Sequence, residues 1–206
     1  MSTVEVFADV LCPFTHVGLH TLIDRRTERG LTQPRLRIRA WPLELINGRP
    51  LDPQHIAAEV SALRESVRPD LFEGFSTATF PKTSMAAFAL TAAADRTGDP
   101  ACSEQVGMAL RDALFEHGLD IGRPDVVRQV AKRFALAPLD AEATAVAVAA
   151  DWDEGRRRGV VGSPHFFTAD GDDWFCPALA ISRDDVGNFI VAWKEGSTAF
   201  VDRVLA

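Results

Sequence analysis

The apolar positions of the chain change period along its length. A short strand is expected across residues 1–9, carried by Val4-Glu5-Val6-Phe7-Ala8, and a second at Leu36-Arg37-Ile38-Arg39-Ala40-Trp41, where arginines alternate on one face. Between them, residues 13–29 space Val17, Leu19, Leu22 and Ile23 as a helix does, and Gly30 follows as a stop. The pattern predicts a β-α-β unit with parallel strands and a right-handed crossover. From about residue 52 to 158 it turns almost wholly helical, with breaks at Pro69-Asp70, Pro81, Gly98-Asp99-Pro100, Gly122-Arg123-Pro124 and Pro138. The stripes Met85, Phe88, Ala89, Ala92 and Met108, Leu110, Leu114, Phe115 read as helix-packing surfaces rather than cofactor boxes.

β-character then returns. Pro164-His165-Phe166-Phe167-Thr168 and Asp173-Trp174-Phe175-Cys176 flank Asp170-Gly171, which predicts an antiparallel hairpin on a two-residue turn, with Cys176 opposite His165. A closing helix is expected over 183–193, and a further turn or two over 198–205. Together these elements give an α/β fold, a mixed sheet flanked by helices.

Composition narrows the function classes. A chain of 206 residues with 47% hydrophobic content can bury a full core. A net charge of −7 argues against a nucleic-acid or anionic-membrane surface. No apolar run preceded by basic residues opens the sequence, and the apolar stretch 147–150 is too short to span a bilayer, so a soluble cytoplasmic protein is expected. The three cysteines, Cys12, Cys102 and Cys176, are spread too widely for a disulfide scaffold or a zinc site, and no metal ligands are assigned. The absence of tyrosine excludes any mechanism built on a phenol.

The candidate chemistry centres on Cys12-Pro13-Phe14-Thr15-His16, where a strand hands over to a helix. Pro13 suits the first helical position, which places Cys12 at the N-cap, facing free backbone N–H groups and the positive end of the helix dipole. Both favour the thiolate. The spacing is that of a redox Cys-X-X-Cys with Thr15 in the fourth place. Thr15 either donates its hydroxyl to the Cys12 thiolate or bonds within the first turn. Far along the chain, Gly159-Val160-Val161-Gly162-Ser163-Pro164 opens a strand on a proline, where a cis X-Pro bond would turn the chain.

A strand, Cys-Pro-X-X and a helix, with a distant Gly-Ser-Pro opening a strand, resemble the thioredoxin fold. More narrowly, the chain resembles the DsbA-like family, which groups thiol-disulfide oxidoreductases, 2-hydroxychromene-2-carboxylate isomerases and kappa-class glutathione transferases. The resemblance rests on Phe7-Ala8-Asp9-Val10-Leu11-Cys12-Pro13-Phe14, Trp41-Pro42-Leu43-Glu44-Leu45, Leu114-Phe115-Glu116-His117-Gly118-Leu119-Asp120-Ile121-Gly122 and Gly159-Val160-Val161-Gly162-Ser163-Pro164-His165-Phe166. It implies a single domain over 1–206, with a thioredoxin-like core at 1–48 and 159–206 and a helical insertion at 49–158. It also implies a cis-proline loop facing the reactive cysteine.

The motif falls between the family's branches. Oxidoreductases usually carry a second cysteine where Thr15 stands, and the isomerases and transferases usually carry serine where Cys12 stands. The resemblance therefore implies a thiol-disulfide oxidoreductase of single-thiol type, with Cys12 and Thr15 catalytic and Pro13, Phe14, Ser163 and Pro164 binding substrate. The alternatives are a glutathione-dependent isomerase or kappa-like transferase, and a non-catalytic binding protein. A mixed disulfide on Cys12 would be released by a thiol from solution, such as glutathione, or by Cys176. No tightly bound cofactor is expected. The expected partner is a small or protein thiol or disulfide, with neither nucleic acid nor membrane, and a homodimer is left open. Ser163 would offer backbone groups to an extended peptide or peptide-like thiol. Phe14, Phe75, Phe80 and Trp41 would line the opposite wall or pack in the core. Asp9, His16 and His165 are secondary candidates, and Arg156-Arg157-Arg158 would either close a helix or reach an anionic thiol. Cys102 is assigned no role.

Overall fold

The computed structural model describes residues 3–206, apart from the side chain of Thr198. Met1 and Ser2 of the expected first strand lie outside the described residues. The chain opens with β1 (Thr3–Ala8), α1 (Pro13–Glu28) and β2 (Arg35–Ala40), and the two strands pair in parallel from Thr3↔Arg35 to Ala8↔Ala40. The expected alternation on β2 is present. Its apolar residues are buried, while Arg35 pairs with Glu104, Arg37 with Asp95 and Glu5, and Arg39 with Asp151 and Glu5. These arginines tether the strand to the helices that follow.

Those helices are α2 (Leu43–Asn47), α3 (Pro53–Ser66), α4 (Met85–Asp95), α5 (Pro100–Phe115), α6 (Pro124–Lys132) and α7 (Ala141–Arg157). Their starts follow local rules. Asp52, Asp99 and Asp140 are N-caps whose carboxylates accept first-turn N–H groups, and Pro53, Pro100 and Pro124 stand in the first turn. Helix α7 returns to the sheet at Gly155, where a Cβ would lie 2.4 Å from the Trp41 ring. None of the described helices is long and apolar enough to cross a membrane.

The sheet is completed by β3 (His165–Phe167) and β4 (Asp173–Phe175), in the order β2-β1-β3-β4 with β3 antiparallel to both neighbours. The hairpin forms, but in a register one residue from expectation. His165 faces Phe175, not Cys176, because Thr168 N–H bonds to the Asp172 carbonyl and the loop holds three residues, with Gly171 at φ +95°. Cys176 instead follows the strand, and its N–H donates to the Pro164 carbonyl at 2.9 Å.

The expected helix over 183–193 is absent. In its place, β5 (Leu179–Arg183) and β6 (Phe189–Trp193) form a separate two-stranded antiparallel sheet. The Asp184 carboxylate accepts the N–H groups of Val186 and Asn188, and Gly187 sits at φ +91°, so the intervening residues turn rather than wind. The flanking residues, rich in β-branched and aromatic side chains, then pair. This hairpin leans on α3, with Phe189 edge-on to His55 at 5.2 Å. Helix α8 (Ser197–Val204) closes the chain and packs Phe200 on Phe166.

Candidate active site

Cys12 is the N-cap of α1, with extended backbone (φ −82°, ψ 116°) and Pro13 opening the helix. The Ser163–Pro164 peptide is cis, and the Cys12 Sγ–H donates to the Ser163 carbonyl at 3.3 Å. Thus the two segments join at residues 151 positions apart. Ser163 ties the junction further. Its hydroxyl accepts the Asp9 N–H at 2.8 Å and shares a 2.7 Å hydrogen bond with the Thr15 hydroxyl. Pro164 packs against α1 near Gly18, its Cγ 3.7 Å from where a Cβ would stand there, an ordinary contact distance.

Asp9 fixes the other side. Its buried carboxylate accepts N–H groups from Leu11 at 2.8 Å and Leu43 at 2.6 Å, joining the end of β1 to the start of α2. The Asp9 carbonyl accepts the Cys12 N–H and an Nη2–H of Arg111 at 3.3 Å. Burial pushes the Asp9 carboxyl up to about 6. Arg111, on α5, is itself fully buried, which brings its guanidinium down to about 10 and leaves it a cation at neutral pH, near Asp9 and Cys12.

The expected thiolate is not the resting state. Cys12 is only 3% exposed and shares an apolar cluster with Val60 and Leu63 of α3 and with Leu179 and Val191 of the β5–β6 hairpin. Burial pushes its thiol up to about 12; the polar groups of Thr15 and Ser163 beside it pull downward, and the charge of Glu59 pushes upward. Desolvation therefore outweighs the helix N-terminus, and the buried sulfur is a protonated donor. Glu59, on α3, is 8% exposed, with Oε1 at 3.4 Å from His55 Nε2. Burial raises its carboxyl to about 8, opposed by Arg183.

The remaining candidates separate. Pro13, Phe14, Ser163 and Pro164 converge on Cys12 and are themselves buried. Phe14, Phe75 and Phe80 belong to the apolar mass around Cys12. Trp41 does not, stacking instead on Trp152 at 4.5 Å in another cluster. His16 is a packed residue, bonded to Glu116 at 2.6 Å, against the Phe72 and Phe115 rings; burial lowers its pKa and keeps it neutral. His165 bonds Asp173 and stacks on Phe167. Arg158 pairs with Glu5 and lies 3.9 Å over the Phe167 ring, while Arg156 and Arg157 stand in the last turn of α7. All three cysteines are free; Cys176 is buried, has φ +41°, and shares the apolar cluster of Cys12.

Sequence reasoning missed Glu59 and Arg111. Each interrupts a buried stripe, Glu59 between Ile56, Val60 and Leu63, and Arg111 among Gly107, Leu110 and Leu114. A charge at a core position of the helical period was the available signal.

Ser163→Ala is expected to cost about 1–3 kcal/mol in chemical denaturation, because it leaves the buried Asp9 N–H and Thr15 hydroxyl without their partner. An unchanged midpoint would remove Ser163 from the junction.

The DSBA-like thioredoxin domain family matches residues 3–180. No curated protein sequence matches the chain. Among solved structures, the cytosolic disulfide reductase DsbM from Pseudomonas aeruginosa aligns with a TM-score of 0.60 at 15% identity, covering 98% of this chain and 97% of that one. A form of DsbM with GSH aligns at 0.55 and 17%, covering 80% and 84%. A 2-hydroxychromene-2-carboxylate isomerase aligns at 0.53 and 16%, covering 84% and 88%. At these identities the likeness is one of fold.

Proposed function

Because the chain belongs to the DSBA-like thioredoxin domain family, we propose that it exchanges thiols and disulfides through Cys12 alone. The observation that carries this reading is the 3.3 Å contact between Cys12 Sγ and the carbonyl of Ser163 at the cis Ser163–Pro164 peptide. When the cover opens, water and an incoming disulfide reach the sulfur and the burial penalty on the thiolate falls. The Cys12 thiolate attacks one sulfur of the disulfide, forms a mixed disulfide and expels the other sulfur as a thiolate. A second thiolate, from glutathione or another small thiol, then attacks the substrate-derived sulfur and releases Cys12. Each cycle consumes one small thiol, releases one substrate thiol and leaves the other substrate sulfur in a disulfide with the small thiol, while Cys12 is regenerated as the thiolate.

Thr15 supplies a hydroxyl that favours the thiolate without competing as a nucleophile. Pro13, Phe14, Ser163 and Pro164 form the binding edge, where the Ser163 carbonyl, freed from the thiol, accepts from the peptide-like part of the substrate. DsbM, a fold neighbour, is cytosolic and has been solved with GSH, which supports a cytoplasmic role with a small thiol.

A second reading, glutathione-dependent isomerisation, is favoured by the neutral buried thiol and by the isomerase among the fold neighbours. Incubation with glutathione disulfide under native conditions separates the two. We expect one glutathione adduct, mapped to Cys12 by peptide mass spectrometry, that persists until a free thiol is added. Absence of the adduct up to pH 9 would overturn the exchange reading. Its spontaneous conversion to a Cys12–Cys176 disulfide would overturn the single-thiol mechanism.

A further inference from the structure

His16 and His20 stand one turn apart on α1, and facing them are Asp112 on α5 and Glu116, the C-cap of that helix, one turn further on. One ring nitrogen of each histidine and a carboxylate oxygen of Asp112 lie within 4.8 Å of one another. His20 Nε2 is 2.9 Å from Asp112 Oδ1, and the two imidazoles meet edge to face at 4.5 Å. Three further observations make this more than a pair of interhelical ion pairs.

His16 is wholly buried, yet its Nδ1 has no hydrogen-bond partner among the described residues. Its other nitrogen is held by Glu116 at 2.6 Å, and the Glu116 carboxylate is itself fixed by the N–H groups of Phe72 at 2.8 Å and Glu73 at 3.2 Å. Neutral His16 that donates Nε2–H to Glu116 keeps a bare lone pair at Nδ1. A carboxylate orienting one ring nitrogen so that the other can ligate is the outer-shell arrangement of metal-bound histidines. Finally, His20 and Asp112 are partly open to solvent, which gives an ion a route to the site.

We propose that His16, His20 and Asp112 bind one divalent transition-metal ion, with Zn²⁺ the best match, and that Glu116 orients His16 from behind. Two imidazoles and one carboxylate, with water in the remaining position, suit zinc in tetrahedral coordination, at about 2.0–2.2 Å from each protein atom. The His20 and Asp112 side chains, partly open to solvent, would have to rotate to bring the three donors to that distance. The ion would tie α1, which carries Cys12, to α5, which carries Arg111. This role is separate from disulfide exchange.

Titration of the intact protein with Zn²⁺ by calorimetry, and with Co²⁺ by absorption spectroscopy, tests the proposal. One equivalent is expected to bind, with a weak cobalt spectrum typical of nitrogen and oxygen ligands and a raised melting temperature. His20→Ala and Asp112→Asn, both at solvent-facing positions, are each expected to weaken binding by at least about tenfold with unchanged circular dichroism. Lack of saturable binding, binding unaltered in both variants, or an intense thiolate-to-cobalt charge-transfer band would overturn it.

Discussion

Cys12→Ser is expected to reduce disulfide exchange to the background rate of the assay thiol while leaving the fold intact. A serine hydroxyl stays protonated at any accessible pH, so it supplies no anion to attack a disulfide. The substitution is mild for the structure. The hydroxyl keeps a donor for the Ser163 carbonyl at the position where the thiol donates at 3.3 Å, and the helix keeps an N-cap residue. Stability should move by no more than about 1 kcal/mol. Thiol-dependent reduction of a small disulfide, followed against the unfolding midpoint, separates lost chemistry from lost structure. Cys176→Ser provides the complementary arm and is expected to keep full turnover. Retained turnover in Cys12→Ser would transfer the site to glutathione-dependent isomerisation, where serine suffices. Loss in Cys176→Ser would mean that a second sulfur resolves the first.

What the sequence displayed most clearly was written locally. The β-α-β unit, the proline- and aspartate-marked helix starts and the meeting of Cys12 with Ser163-Pro164 each rest on short-range rules or on the family resemblance. The misreadings came where neighbours decided. The apolar spacing of residues 183–193 is compatible with a helix, and only the turn chemistry of Asp184 and Gly187 selects the β5–β6 hairpin. That difference matters to the site, because Leu179 and Val191 then join the apolar mass over Cys12. Asp170-Gly171 signalled a turn but not its length, and one extra loop residue moved Cys176 from a place opposite His165 to one against Pro164. The thiolate expectation counted the helix dipole, which is local, and omitted desolvation, which depends on how α3 and the hairpin close over the sulfur. Glu59 and Arg111 belong to the same class, since a charge acquires its altered protonation only from the burial around it.

Glu59→Gln is expected to stabilise the protein increasingly as pH rises, and to make Cys12 easier to ionise. Burial raises the folded Glu59 carboxyl from its ordinary 4.5 to about 8. Folding therefore favours its protonated form. The contribution of the group is fully present below pH 4.5, declines as the unfolded chain ionises while the folded chain does not, and is lost by the time pH has risen through 8. Glutamine has the same shape and no charge to desolvate. The variant should match wild type in unfolding free energy near pH 4 and exceed it by roughly 3–5 kcal/mol at pH 9, as an upper bound. Asp9, raised to about 6, gives the same sign over a lower window, but it is common to both proteins and cancels in the difference. The second effect follows from proximity: an ionised Glu59 pushes the Cys12 thiol upward, so two negative charges compete for one dry site. Removing the carboxylate should shift the midpoint of Cys12 alkylation to lower pH. A stability difference that stays flat from pH 4 to 9, together with an unmoved alkylation midpoint, would show that Glu59 is hydrated and that the cover over Cys12 is open at rest.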